Sequence, residues 1–200
     1  MKNKMMFLLL ILVITSLILS GCIGGKAPDE NVNIDVENDD EEVVETISRD
    51  NIGTIDGITL DDTEVNNDII KENDLTMINI WATFCPPCIE EMPDLGEINR
   101  EYDNEGKKFA IIGVVTDVAD MAGNINEDTL ELANEIIELT GADYTHIIPG
   151  DEFIKSYLYK VSVIPTTVFV NNEGEILKTV VGANTKVEWL DIIDEIMAEI

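Results

Sequence analysis

Three cysteines and one histidine are spread over 200 residues. So few cysteines exclude a miniprotein stapled by disulfides. They also leave little for zinc, which normally takes four ligands. Positive charge is scarce as well, with 12 Lys and Arg against 41 Asp and Glu, a formal net charge of -29. Phosphate recognition needs a basic surface, so nucleic acid is excluded as a partner. Hydrophobic residues still make up 45% of the chain, enough for a core. A chain of this length forms about one domain, and no internal repeat is visible.

The chain starts Met1-Lys2-Asn3-Lys4 and then runs apolar from Met5 to Leu19, interrupted only by Thr15 and Ser16. A basic start and a short apolar core predict a secretory signal over residues 1–21. The run is short for a membrane span. Leu19-Ser20-Gly21-Cys22 looks like a bacterial lipobox, in which cleavage leaves a lipid-bearing Cys22. An uncleaved anchor is the alternative; both readings place the body on the extracytoplasmic face of the cell membrane. Anionic lipids repel so acidic a body, so the lipid on Cys22 is expected to hold it there. Several acyl chains achieve this where one binds only marginally. Residues 22–50 carry Gly24-Gly25, Pro28 and a dense run of acidic side chains. Like charges and few apolar groups predict an extended, flexible tether. An acidic binding tail is the competing reading.

Residues 51–200 alternate strand-like and helix-like patterns. Ile58–Leu60 and Glu64–Val65 flank a turn. Leu75–Trp81 and the nearly all-apolar Phe109–Thr116 read as buried strands. Between them, apolar residues recur every three positions from Pro87 to about Glu105, predicting a helix that Pro93 should bend. Asp128–Thr140 reads as an inserted amphipathic helix stopped by Gly141. Tyr144–Ile148 and Phe153–Leu158 predict a short strand and a brief helix. Thr166–Val170 and Ile176–Val181 form a hairpin around Asn171-Asn172-Glu173-Gly174. Lys186–Ile200 is the closing helix. Strands alternating with helices predict an α/β fold whose central sheet is covered on both faces.

Cys85 and Cys88 are the only cysteines of this body, placed between a predicted strand and a predicted helix. A CxxC in that setting reads as a thiol–disulfide site. Residues three apart at a helix start share a face and can close a disulfide with little backbone movement. The helix N-terminus stabilises a thiolate. By position, Cys85 is the exposed attacking thiol and Cys88 the more buried, resolving one. Pro87 gives up no useful N–H in the first turn. A structural disulfide competes with this reading, but a four-residue loop gives little entropic stabilisation. A metal pair competes too, but zinc normally takes four ligands, and His146 is the only histidine while the body has no other cysteine.

The stretch Trp81-Ala82-Thr83-Phe84-Cys85-Pro86-Pro87-Cys88 closely resembles the active-site segment of thioredoxin-like proteins. Ile89-Glu90-Glu91-Met92-Pro93-Asp94-Leu95 narrows the resemblance to the membrane-attached TlpA/ResA-type branch. Val163-Ile164-Pro165-Thr166-Thr167-Val168-Phe169 resembles its second hallmark, where the proline is cis and sits against the CxxC. The resemblance covers about Ile58 to Ile200. It implies a thioredoxin-like fold with a central mixed sheet, an N-terminal hairpin and an inserted helix. It assigns catalytic roles to Cys85, Cys88 and Pro165. In ResA-like proteins a glutamate three residues after the second cysteine lies near the thiols. Glu91 matches it and is assigned to tune or relay their protons; a solvent-facing carboxylate favouring the helix start is the plainer reading. Asn79 departs from classical thioredoxins, which carry a buried carboxylate at that place.

The function implied is a thiol–disulfide oxidoreductase that reduces disulfides of envelope proteins and is recharged by a membrane dithiol donor. ResA-like relatives reduce apocytochrome c. The chemistry needs no bound cofactor or metal, and a monomer is expected. A thiol peroxidase is the rival enzyme, although no arginine adjoins Cys85 and Arg100 lies turns away. A non-enzymatic, substrate-binding lipoprotein is the rival from another class. His146 is read as a structural or surface residue.

Overall fold

The computed structural model describes residues 50–200. The leader, Cys22 and all of the tether but Asp50 lie outside the described residues. The elements in chain order are β1 (Asp56–Thr59), β2 (Glu64–Asn66), α1 (Asp68–Lys71), β3 (Leu75–Trp81), α2 (Pro86–Asn104) and β4 (Phe109–Val115). There follow α3 (Glu127–Thr140), β5 (Thr145–Pro149), α4 (Asp151–Ser156), a 3-10 turn (Leu158–Lys160), β6 (Thr166–Val170), β7 (Ile176–Val181) and α5 (Lys186–Met197).

The strands form one mixed sheet in the order β2-β1-β5-β4-β3-β6-β7. β3, β4 and β5 run parallel, while β6 is antiparallel to β3 and β1 to β5. β3 is buried along its whole length, as a central strand covered on both faces must be. Its odd-numbered residues pack under α2, α3 and α5 with Trp189, Ile193 and Ile196 of α5. Its even-numbered residues face Ile70, Phe153 and Tyr157 on the other side. Each of these large side chains contributes about 1.5–3 kcal/mol by leaving water.

Local chemistry explains the element ends. Gly141 closes α3 in the left-handed conformation at φ 66°, where a glycine meets no Cβ penalty. Thr185 and Glu188 cap α5 reciprocally. Asp56 caps α4 from across the fold, accepting the Phe153 N–H at 2.6 Å. The helix α2 runs on through Pro93 without a break. Proline at that place costs it one intrahelical bond, and the ring is exposed. Residues ahead of β1 are packed into the fold as well. Ile52 N–H donates to the Gly174 carbonyl at 2.8 Å, and Ile52 and Ile55 are buried.

Candidate active site

β3 ends at Trp81, and α2 begins five residues on, at Pro86. The Cys85 N–H donates back to the Ala82 carbonyl at 3.1 Å, which turns the chain. Cys85 is then the N-cap of α2, with Pro86 and Pro87 in its first turn. Cys85 and Cys88 form a disulfide with Cα atoms 5.3 Å apart. Asp117, just past β4, clamps the loop before them. Its carboxylate accepts the Thr83 N–H at 3.1 Å and the Thr83 hydroxyl at 2.6 Å.

The expectation that Cys85 would be exposed needs correction. Cys85 is only 5% exposed and Cys88 fully buried, so the order holds but the thiol of Cys85 barely reaches the surface. In this oxidised state its sulfur is bonded to Cys88. The exposed apolar group beside it is Phe84, at 73%.

Glu91 is no solvent-facing carboxylate. It is 2% exposed and lies three residues after Cys88, which puts both on the buried face of α2. Asn79 Nδ2 donates to its Oε1 at 2.9 Å. The Asn184 N–H and Trp189 Nε1 donate to its Oε2 at 3.1 and 3.3 Å. Burial disfavours the charged form and outweighs these donors, pushing the carboxyl up to about 7. Asp94 nearby adds a smaller push in the same direction. A buried acid titrating near neutrality is suited to exchanging protons with a thiol.

The Ile164–Pro165 peptide is cis. Thr166 pairs with Ile80, so Pro165 enters β6 at the end of the sheet where the CxxC follows β3. Pro165 is buried and its carbonyl accepts the Gly182 N–H at 2.9 Å. The Ile164 N–H and carbonyl have no backbone partner among the described residues. Beside Ile164 opens a cavity of about 330 Å³ lined by Ile80, Ala119, Met121, Ile154 and Leu158.

His146 is buried rather than at the surface, with Nε2 2.9 Å from the Ala142 carbonyl. Burial pushes its imidazole down to about 4. Its ring stacks on Tyr144 and meets Trp81 edge-on. Arg100 is turned to the Gly141 carbonyl and Asp143 at 2.8 and 2.7 Å, so it is engaged away from the cysteines. The structure thus gathers Cys85, Cys88, Glu91 and Pro165 at one end of the sheet. Asp117, Thr167, Asn184 and Trp189 were not singled out by sequence. Trp189 reads as one more apolar residue of an amphipathic helix, and no local signal marks the others.

A family model described as Redoxin matches residues 27–192. The chain belongs to the redoxin family. Within it, the chain is 32% identical over 128 residues to the thiol-disulfide oxidoreductase ResA of Oceanobacillus iheyensis, covering 61% of this chain and 59% of that one. It is 28% identical over 127 residues to ResA of Bacillus subtilis, covering 62% and 64%. The chain therefore spans less than two thirds of the length of these relatives. Among solved structures, a thiol:disulfide interchange protein of the thioredoxin family from Chlorobium tepidum superposes with a TM-score of 0.59 at 19% identity, covering 74% of this chain and 95% of that one. The redoxin fold here is thus thioredoxin-like, and the ResA relatives support the resemblance to the TlpA/ResA-type branch.

Proposed function

We propose that this protein is a thiol–disulfide oxidoreductase that reduces disulfides of extracytoplasmic proteins. The observation that carries the reading is the Cys85–Cys88 disulfide at the start of α2 with Glu91 buried one turn further on. In the reduced protein the Cys85 thiolate, favoured by the helix N-terminus, attacks one sulfur of a substrate disulfide. A Cys85–substrate bond forms and the other substrate sulfur leaves as a thiolate. Cys88 gives its proton to ionised Glu91 and attacks Cys85 Sγ. The second substrate sulfur leaves, and the Cys85–Cys88 disulfide carries away the oxidising equivalent. The substrate gains two electrons, which a membrane dithiol donor must return.

The unpaired Ile164 backbone supports recognition of an extended segment by main-chain pairing, with the neighbouring cavity taking a side chain. Apocytochrome c is one substrate of this description. The lipobox-like Leu19-Ser20-Gly21-Cys22 supports attachment to the outer face of the cell membrane through lipid on Cys22. Among the described residues no helix is long and apolar enough to cross a membrane. The engagement of Arg100 with Asp143 disfavours a peroxidase.

The test is trapping with Cys88→Ser. That variant should accumulate mixed disulfides through Cys85, identified by mass spectrometry. Failure to trap any species under reducing turnover, together with unchanged exchange activity in Cys85→Ser, would overturn the reading in favour of a binding lipoprotein.

A further inference from the structure

Five buried side-chain atoms lack a hydrogen-bond partner among the described residues: Thr76 Oγ1, Asn79 Oδ1, Trp81 Nε1, Tyr144 Oη and His146 Nδ1. Buried polar groups are almost always paired, and each unpaired one costs about 1–3 kcal/mol. The last four are not scattered. Asn79, Gly113 and His146 are direct cross-strand partners on β3, β4 and β5. Trp81 and Tyr144 are each two residues from a member of this row, so all four side chains share the face that packs under α2.

Gly113 is what brings them together. A Cβ at Gly113 would lie 2.2 Å from His146 Nδ1, so the imidazole leans over β4 towards β3. Trp81 reaches the same place from β3, its ring centroid 5.6 Å from that of His146. Asn79 spends its amide N–H groups on Glu91 and on Thr167 Oγ1 at 3.1 Å, towards α2 and β6. Its carbonyl end therefore turns the other way, to the β4 side.

The donor and acceptor count is specific. With Nε2 as the donor to Ala142, neutral His146 offers only an acceptor at Nδ1. Asn79 Oδ1 is a second acceptor, so these two atoms cannot satisfy each other. Trp81 Nε1–H and the Tyr144 hydroxyl are donors. A molecule with two protons and two lone pairs complements this set. A shallow cavity whose lining includes Leu60, Asn134, Ile137, Tyr144 and His146 opens beside two of these side chains.

We propose that an internal hydration site lies between the side chains of Asn79, Trp81 and His146 on this face of the sheet. Ordered water donates there to Asn79 Oδ1 and His146 Nδ1 and accepts from Trp81 Nε1–H, with Tyr144 Oη as a further donor. Such waters bridge buried polar groups as part of the structure. This one holds the Asn79 carbonyl and so keeps the amide N–H groups turned to Glu91. The inference needs no substrate and stands apart from the proposed activity.

The experiment is water-selective NOE and ROE spectroscopy on the oxidised, ¹⁵N-labelled protein. The chain has two tryptophans. Trp81 Nε1–H should show a direct cross-peak to long-lived water. Trp189 Nε1–H, which is satisfied by Glu91, should show none and serves as the control. In His146→Phe the Trp81 peak should vanish. A wild-type spectrum without the Trp81 peak overturns the proposal, as does a peak that persists in a folded His146→Phe protein. Should that variant not fold, a high-resolution crystal structure of the wild type decides. A water within hydrogen-bond distance of Asn79 Oδ1 and His146 Nδ1 supports the site; a direct Trp81–His146 hydrogen bond overturns it.

Discussion

Asn79 Nδ2 donates to Glu91 Oε1 at 2.9 Å, so the residue that replaces the usual buried carboxylate supports another one on the facing helix. An amide at 79 cannot exchange a proton, but it can hold a group that does. Glu91 titrates near 7 because burial outweighs its three donors. It can therefore take a proton from a thiol and return it near neutral pH. Glu91→Gln should slow single-turnover disulfide reduction at pH 7 by about 10²-fold. It should also remove a titration near 7 from the rate profile. A variant with wild-type rates across pH 5–9 would sink the relay.

The pH dependence of stability tests Glu91 and His146 together. A carboxyl raised from 4.5 to about 7 binds its proton more tightly in the folded state. Its contribution is present below 4.5 and is lost as pH rises through 7, by roughly 3 kcal/mol at most. An imidazole lowered from 6.5 to about 4 has the opposite sign: its contribution is present above 6.5 and is lost as pH falls through 4. Between about 4.5 and 6.5 the two slopes oppose each other. Relative to wild type, Glu91→Gln should gain stability as pH rises through that window, and His146→Phe should lose it. Denaturant titrations of the oxidised proteins at several pH values read this directly. Parallel curves for all three proteins would contradict both assignments.

Much of this site was legible because its chemistry is local in sequence. Cys85 and Cys88 lie three apart at a strand-to-helix junction, and the apolar runs of β3 and β4 announce a sheet covered on both faces. A motif marks Pro165, and periodicity does not. The motif points to Glu91 but not to its burial, because one turn of helix pattern does not say which flank meets α5. Asn184 and Trp189 lie over 90 residues from Glu91, and only the closing of α5 over α2 brings them to it. His146 had no sequence signal for burial. It is inside because Gly113, on the neighbouring strand, has no Cβ to exclude the ring.

Asp117 ties the active-site loop to the end of β4 through both Thr83 groups. Asp117→Ala leaves the Thr83 N–H and hydroxyl to find other partners in a part-buried place. The expected cost is about 1–3 kcal/mol of stability. The loop before Cys85 should also loosen, raising hydrogen exchange at the Thr83 and Cys85 amides while the β3 amides stay protected. Uniform protection in the variant would show that the clamp is dispensable.

Trp189 isolates the tuning of Glu91 from the fold. Its Nε1 donates to Oε2 at 3.3 Å, next to the Asn184 N–H at 3.1 Å. Trp189→Phe removes that donor and keeps an aromatic ring against Phe169, whose centroid is 6.1 Å away. A donor to the carboxylate favours the ionised form, so its loss should move Glu91 above about 7. The neutral-pH limb of the exchange rate should then shift to higher pH, with the plateau rate largely kept. A purely structural role for Trp189 predicts a lower rate at every pH and an unmoved limb. Stopped-flow reduction of a disulfide peptide from pH 5 to 9 distinguishes the two.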